Sequence, residues 1–352
     1  MASSSPAQRS RSERLAMYES AGRSSTAYLS LSPDLDCIFR EGEGFLAFKE
    51  HLGVRVAPGD PVSLPGGLDG IARDVTHGTP RGSQFVLFAC DDTTRRVFEG
   101  HGFSSLHIGS EPVVDIGSFS MSGRRNRGIR GSMNRARRGG LRVTPYMPAS
   151  GRDGATESWL RRVSKAWCAT KGTPELNFLV GRLDFEETYG KTYFLCQRGR
   201  DILAYLLFYT MPATGDVYLD HMRRLPGSPK ECLDFTLCEA IEAFKALNVG
   251  RMFMGVCPFS RMSEADGVNP DYLNDLFTML RRPFAFLYPA EGEYNYKRKY
   301  ATSWEPRYMC AYPRVSTRGL LAILECFCPG GLAAIAYHRL GRFRAGRSAR
   351  AR

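Results

Sequence analysis

The chain contains no Cys-x-x-Cys pair and no cysteine–histidine cluster at zinc-ligand spacing, so no metal site is expected. Its ten cysteines are scattered, with Cys326 and Cys328 the only close pair, a pattern of reduced, mostly buried thiols in a cytoplasmic protein. No uninterrupted apolar run reaches the length of a membrane span. The opening stretch MASSSPAQRSRSERL lacks an apolar h-region, which argues against a secretory signal. No Ser-His-Asp or Cys-His arrangement is supported by spacing. Negative charge is missing from one place in particular: between Arg124 and Arg142 there are eight arginines and no carboxylate.

What is present suffices for two ordinary domains: 352 residues, 43% apolar and 11% aromatic. The net charge of +12 implies an anionic partner, whether nucleic acid, a lipid surface or a phosphorylated substrate. Residues 1–24, rich in Ser, Arg and Ala, read as a disordered basic arm. Short apolar or alternating runs follow at 26–31, 36–40, 44–50 and 53–57, a meander closed by the turn Pro58-Gly59-Asp60-Pro61. The continuous apolar run QFVLFAC at 84–90 reads as a buried strand, 91–101 as a short helix capped by Asp91 or Asp92, and 106–108 and 112–116 as further strands.

The stretch RRNRGIRGSMNRARRGGLR at 124–142 places Ile129, Met133 and Ala136 at roughly helical spacing, with arginine at most other positions. A solvated linker helix would look much the same. However, eight cations without a compensating acid repel one another unless an anion neutralises them, so a polyanion contact is favoured. Arg124, Arg125, Arg127, Arg130, Arg135, Arg137 and Arg138 are its candidate residues. A Pro- and Gly-rich linker at 146–156 leads to a helix at 157–170, strands at 194–197, 202–210 and 216–220, and a helix opened by Ser228-Pro229-Lys230-Glu231, which has the form of a capping box. A strand at 251–257, a helix at 272–280 and a terminal strand complete an α/β order. Apolar residues at 320–327 precede a basic segment, 332–352, that suits either domain packing or a peripheral membrane or RNA tail.

The most concentrated mixture of cations and aromatics is YNYKRKYATSWEPRY at 294–308. If 296–300 is extended, Lys297 and Lys299 share one face while Tyr296, Arg298 and Tyr300 take the other. Two ammonium groups beside aromatic surface suit a phosphate next to a flat base or a charged head group. An edge strand carrying outward lysines is the plainer alternative.

These pieces carry a resemblance. Gly59-Asp60-Pro61, the run from Phe119 to Arg130 with Asn134-Arg135-Ala136, the run from Phe178 to Asp184, Asp220-His221-Met222-Arg223, Met254 to Ser260, Tyr296 to Tyr300 and Trp304 to Tyr308 are similar, in order and spacing, to the soluble catalytic portion of the phosphatidylglycerol lysyltransferase (aminoacyl-phosphatidylglycerol synthase) family. The resemblance spans about 26–315. It implies tandem GNAT-like (acyltransferase) folds sharing a cleft: an N-terminal domain at 25–116, an arginine-rich connection at 117–155, a catalytic domain at 156–315 and a basic tail at 316–352. It also implies aminoacyl transfer from charged tRNA with no cofactor, since an aminoacyl ester is already activated. The tRNA would account for the arginines and the net charge.

Membrane-bound members carry a many-helix domain before this portion, where this chain has a polar arm. The expected acceptor is therefore a hydroxyl, hydroxylamine or amine of a soluble small molecule, as in a natural-product branch of the family, with phosphatidylglycerol the alternative. Asp220 and Arg223, with Lys297 and Lys299 for phosphate or oxyanion, are the candidate catalytic residues. Arg182, Asp184, His221, Tyr296, Trp304 and Arg307 are candidates to bind substrate. An acyl-CoA N-acyltransferase is a rival, but its R/Q-x-x-G-x-G/A loop is absent and Pro229 removes an N–H that pyrophosphate would need. A non-catalytic RNA-binding protein is a further rival. It predicts that the region around Asp220 and the two lysines is dispensable.

Overall fold

The computed structural model describes residues 11–171, 178, 180–262 and 290–327. The expected helix at 272–280 and the basic segment 332–352 lie outside them. The described chain forms two compact α/β units. One comprises 11–112, 211–214, 255–262 and 290–327, and the other 113–171, 178, 180–210 and 215–254. This division departs from the expected boundaries: the stretch 117–155 is part of the second unit rather than a connection, and the terminal strand belongs to the first.

The sheet of the first unit runs β1 (Asp36–Arg40), β2 (Gly44–His51), β3 (Val54–Ala57), β5 (Gln84–Cys90), β13 (Ser303–Tyr312) and the first part of β6 (Ser104–Asp115). The short β4 (Val62–Ser63) pairs with β2, and β12 (Cys257–Pro258) pairs with β6. All seven residues of β5 are buried, as a continuous apolar run demands of a central strand. It runs parallel to β3 and antiparallel to β13, with Cys310 opposite Leu87. Helix α2 (Gly67–Gly78) inserts Ile71, Ala72 and Val75 into the core beside Phe85, Leu87 and Phe98. Asp91 caps α3 (Asp92–Gly100), accepting from the Thr94 amide at 2.7 Å.

Two expectations for the N-terminal part give way. Residues 11–21 of the supposed disordered arm form helix α1 (Arg11–Ala21), because Tyr18 is fully buried edge-on to Tyr28. The buried Arg14 guanidinium also donates to the carbonyls of Ser30, Ser32 and Leu35. Residues Ala27–Leu31 form a 3-10 helix instead of a strand, and Arg14 satisfies the Ser30 carbonyl at its end and the Ser32 and Leu35 carbonyls just beyond it.

The sheet of the second unit runs from the last residues of β6 through β11 (Arg251–Phe253), β10 (Asp216–Arg224), β9 (Asp201–Met211) and β8 (Lys191–Arg198) to β7 (Arg142–Tyr146). The expected strand at 251–257 is thus broken into β11 and β12, with Gly255 at φ +78° between them. Helix α6 (Glu231–Ala246) buries Phe244 against Phe194 and Phe208, at ring-centroid distances of 5.3 and 4.9 Å. Its expected capping box does not form: Lys230 is the N-cap, without a side-chain bond, and Ser228 turns to the Leu203 carbonyl instead. Helix α4 (Arg127–Arg138) packs on α6 through Ile129, Met133 and Ala136, and α5 (Gly154–Lys171) packs on β10.

Candidate active site

Strand β10 carries Asp220, His221 and Arg223, and the loop around Gly181 is held against it. The Asp220 carboxylate is 1% exposed. Its Oδ2 accepts the Gly181 amide at 2.9 Å, and its Oδ1 has no hydrogen-bond partner among the described residues. Burial pushes its pKa up to about 6, against the opposing pull of the Gly181 N–H, the Arg223 charge and the Tyr209 hydroxyl.

His221 Nε2 lies 2.7 Å from the Gly181 carbonyl oxygen, and Nδ1 lies 3.4 Å from the Tyr205 hydroxyl. Burial, then the neighbouring Arg223, hold the imidazole well below its ordinary pKa. It is therefore neutral: Nε2–H donates to Gly181 and Nδ1 accepts from Tyr205. Arg223 Nη2 stands 3.2 Å from that same Nε2, a charge–dipole contact because both are donors. Arg223 Nη1 donates to Ser164 on α5, and its guanidinium lies 5.3 Å from the centroid of the Trp167 ring. Asp220 and His221 together clamp the two backbone groups of Gly181. A Cβ at Gly181 would collide with the Tyr209 hydroxyl and the Asp220 carboxylate, so only glycine fits.

The structure therefore brings together Asp220, His221 and Arg223. It places Arg182 on the surface and pairs Asp184 with the buried Lys191 ammonium at 3.3 Å. Gly181, Ser164, Tyr205 and Tyr209 complete this cluster and were not singled out from sequence. Only Gly181, inside a quoted motif, left a local signal.

The other candidates lie in the first unit. The stretch expected to be extended at 296–300 is instead the end of helix α7 (Ala290–Lys297) and a following turn, so Lys297 and Lys299 do not share a strand face. Lys297 is buried. It is paired with Glu293 at 3.2 Å, a helical i, i+4 contact, and it donates to the Gly255 carbonyl. Burial works against its charge, but Glu293 together with Cys257 and Glu111 raises the pKa overall. The Lys299 ammonium sits 4.2 Å from the Tyr296 ring centroid and 5.3 Å from that of Tyr300. Trp304 packs against Tyr294 at 5.2 Å and receives the Arg261 guanidinium at 5.4 Å.

Arg307 is buried and gives both Nε and Nη2 to Glu111 Oε2, at 2.8 and 2.6 Å. Glu111 also accepts from Ser25 and from the Gly255 amide. This pair ties β13, β6 and the turn just before the 3-10 segment of the first unit together. A carboxylate inside the apolar run of β6 was its only signal in sequence.

Of the arginines at 124–142, Arg130 donates to the Met121 and Gly123 carbonyls. Arg135 pairs with Glu231, and Arg137 pairs with Glu239 on α6. Arg124, Arg125, Arg127 and Arg138 are exposed.

The second unit of this two-unit α/β chain thus carries a buried carboxylate–imidazole–guanidinium cluster on an inner strand, and the comparisons with known proteins show its family. Residues 15–311 match the family described as phosphatidylglycerol lysyltransferase, C-terminal, and the chain belongs to that family. It is 25% identical over 310 residues to the lysylphosphatidylglycerol biosynthesis bifunctional protein LysX of Mycobacterium marinum, covering 85% of this chain and 28% of that protein. It is 23% identical over 305 residues to a phosphatidylglycerol lysyltransferase of Staphylococcus epidermidis, covering 84% of this chain and 35% of that one. The chain thus spans about a third or less of these curated relatives. Among solved structures, the C-terminal domain of a putative lysylphosphatidylglycerol synthetase from Agrobacterium fabrum superposes with a TM-score of 0.75 at 18% identity, covering 92% of this chain and 99% of that one. L-PGS from Bacillus licheniformis superposes at 0.74 and 19% identity, covering 92% and 98%. Among the described residues, no helix is long and apolar enough to cross a membrane.

Proposed function

We propose that this chain is an aminoacyltransferase that moves an amino acid, lysine in the first instance, from the terminal ester of a charged tRNA to a hydroxyl of phosphatidylglycerol. The observation that carries the reading is the buried Asp220 carboxylate with one unengaged oxygen, in a chain whose family and relatives bear the lysyltransferase name. The acceptor oxygen attacks the ester carbonyl carbon, a new ester forms, and the ribose oxygen of the tRNA leaves with a proton. With a pKa of about 6, Asp220 is largely ionised at neutral pH and offers Oδ1 to the ammonium group of the aminoacyl donor. Arg223 supports that ionised form, while the neutral His221 holds the Gly181 segment in place. Lys297 serves the fold, being engaged with Glu293 and Gly255.

The lipid replaces the soluble small molecule favoured from sequence. That preference rested on the polar N-terminal segment, whereas the names carried by the relatives favour phosphatidylglycerol.

The test incubates the purified chain with lysyl-tRNA labelled in the amino acid and with vesicles of phosphatidylcholine with or without phosphatidylglycerol. Label should enter the lipid extract only with phosphatidylglycerol. Label released only by a soluble extract fraction would move the acceptor to a small molecule. Stable lysyl-tRNA under every condition, with the other charged tRNAs also intact, would end the transferase reading.

A further inference from the structure

The second unit carries a basic surface that no continuous stretch of sequence contains. Strand β7 pairs with β8, setting Arg142 opposite Gln197 beside Arg198, and the β8–β9 hairpin then turns through Gly199 and Arg200. The end of α4 closes on this hairpin: a Cβ at Gly139 would lie 3.8 Å from Arg198 Nη2. Arg138, Arg142, Arg198 and Arg200 are all exposed. In the segments 124–142 and 197–201 the only acid is Asp201. Space is open beside Gly140 and Gly199, both turning with positive φ, so an incoming chain can approach the backbone there.

We propose that this edge docks the double-helical arm of an RNA through its phosphates, which extends the tRNA-donor reading above and rests on it. The other arginines of α4 divide in the same sense. Arg130, Arg135 and Arg137 are occupied by carbonyls and by acids of α6, while Arg127 is exposed at the start of the helix and Arg138, exposed at its end, leads onto the hairpin. Neither segment contains an aromatic residue, so there is no stacking platform of the kind that unpaired bases require. Nor do they offer a bilayer an apolar foothold: Ile129, Met133 and Leu141 are buried, whereas an interfacial helix exposes such side chains to lipid. Exposed guanidinium groups able to meet a regular phosphate backbone remain, with recognition that does not depend on base sequence.

The test compares the full chain with the variant Arg138→Ala/Arg198→Ala/Arg200→Ala and with a charge-matched control, Arg73→Ala/Arg81→Ala/Arg96→Ala. Each is titrated with an uncharged tRNA transcript, a short RNA stem-loop, oligouridylate and phosphatidylglycerol-containing vesicles at several salt concentrations. The first variant should bind tRNA and the stem-loop about 10- to 100-fold more weakly, with the salt slope reduced by about 2–3, while the control stays near wild type. Equal loss in both variants, or none in either, overturns the surface while leaving the donor reading intact. Tighter binding of oligouridylate than of the stem-loop overturns the duplex assignment. Loss of anionic-vesicle binding with unchanged RNA binding reassigns the edge to a membrane. If the wild-type chain binds no RNA at all, the donor reading falls and this inference falls with it.

Discussion

In the proposed reaction Asp220 is the residue on which the chemistry turns, and its environment makes the prediction quantitative. Its pKa is raised from the ordinary carboxylate value to about 6 because the side chain is buried. A raised acid is protonated at low pH, so a step that needs the carboxylate should gain rate as pH rises through about 6 and then level off. Asp220→Asn should lower turnover by about 10²- to 10⁴-fold, abolish that ascending limb and leave tRNA affinity unchanged, since the loss falls on the reacting complex. A variant with full turnover removes Asp220 from the site. Gly181→Ala tests the clamp: its methyl group must displace the Tyr209 hydroxyl or the Asp220 carboxylate, so activity should fall sharply. A fully active Gly181→Ala would show that the clamp does not position Asp220. Asp220, His221 and Arg223 were legible because three polar residues end an apolar strand. Gly181 was not, since its role depends on a strand it meets only after folding. The partners of Lys297 were hidden for the mirror-image reason, because nothing local shows that Glu293 and the Gly255 carbonyl take up its ammonium.

At the scale of elements, several polar bonds hold the first unit's segments together. Asp60 is buried. It accepts the Asp91 amide at 2.9 Å and the Ser24 hydroxyl at 2.7 Å, while Asp91 in turn caps α3. Burial, then the Asp91 carboxylate, raise its pKa to about 7, opposed by Arg307. The stabilising contribution of the protonated form is complete below about pH 4 and is lost as pH rises through about 7. Asp60→Asn cannot ionise, so its melting temperature relative to wild type should climb as pH is raised from about 5 to 8, by roughly 5 °C or more. Parallel curves for the two proteins would show that Asp60 does not titrate in this range. Arg307→Ala should be far more damaging, at about 3–5 kcal/mol, because it leaves Glu111 buried without its cation. A loss under 1 kcal/mol in denaturant titration would mean that water compensates Glu111. The helical and strand periods of α3, β5 and α6 could be read from sequence. Helix α1 could not, because its stability comes from Tyr18 and Arg14 meeting residues 28–35.

For the whole molecule, the chain path is the decisive feature. Strand β13 lies between β5 and β6, although more than 180 residues separate it from either. Removing 303–352 therefore takes out an inner strand together with helix α8 (Thr317–Phe327), which packs on β3 and β5. Hydrogen exchange on that truncated chain should show the amides of Gln84–Cys90 losing protection while those of 191–210 keep theirs, because the second unit has its own sheet. Retained protection in β5 would mean that the first unit closes without β13.

The amino-acid sequence by itself determined the α/β class, the buried central strand, the arginine-rich helix and the family, because hydrophobic period, turn chemistry and motif order are local properties. It also marked the Asp220–Arg223 segment, since polar residues closing an apolar strand stand out locally. Only the tertiary structure decided which unit owns β13, which arginines are spent on α6 and which remain on the hairpin edge, and that Lys297 and Arg307 are internal partners of Glu293 and Glu111. Each of those outcomes depends on a hydrogen bond or ion pair made in the folded chain, and most of them join residues distant in sequence. A single sequence carries no local signal for the partner that satisfies a buried charge.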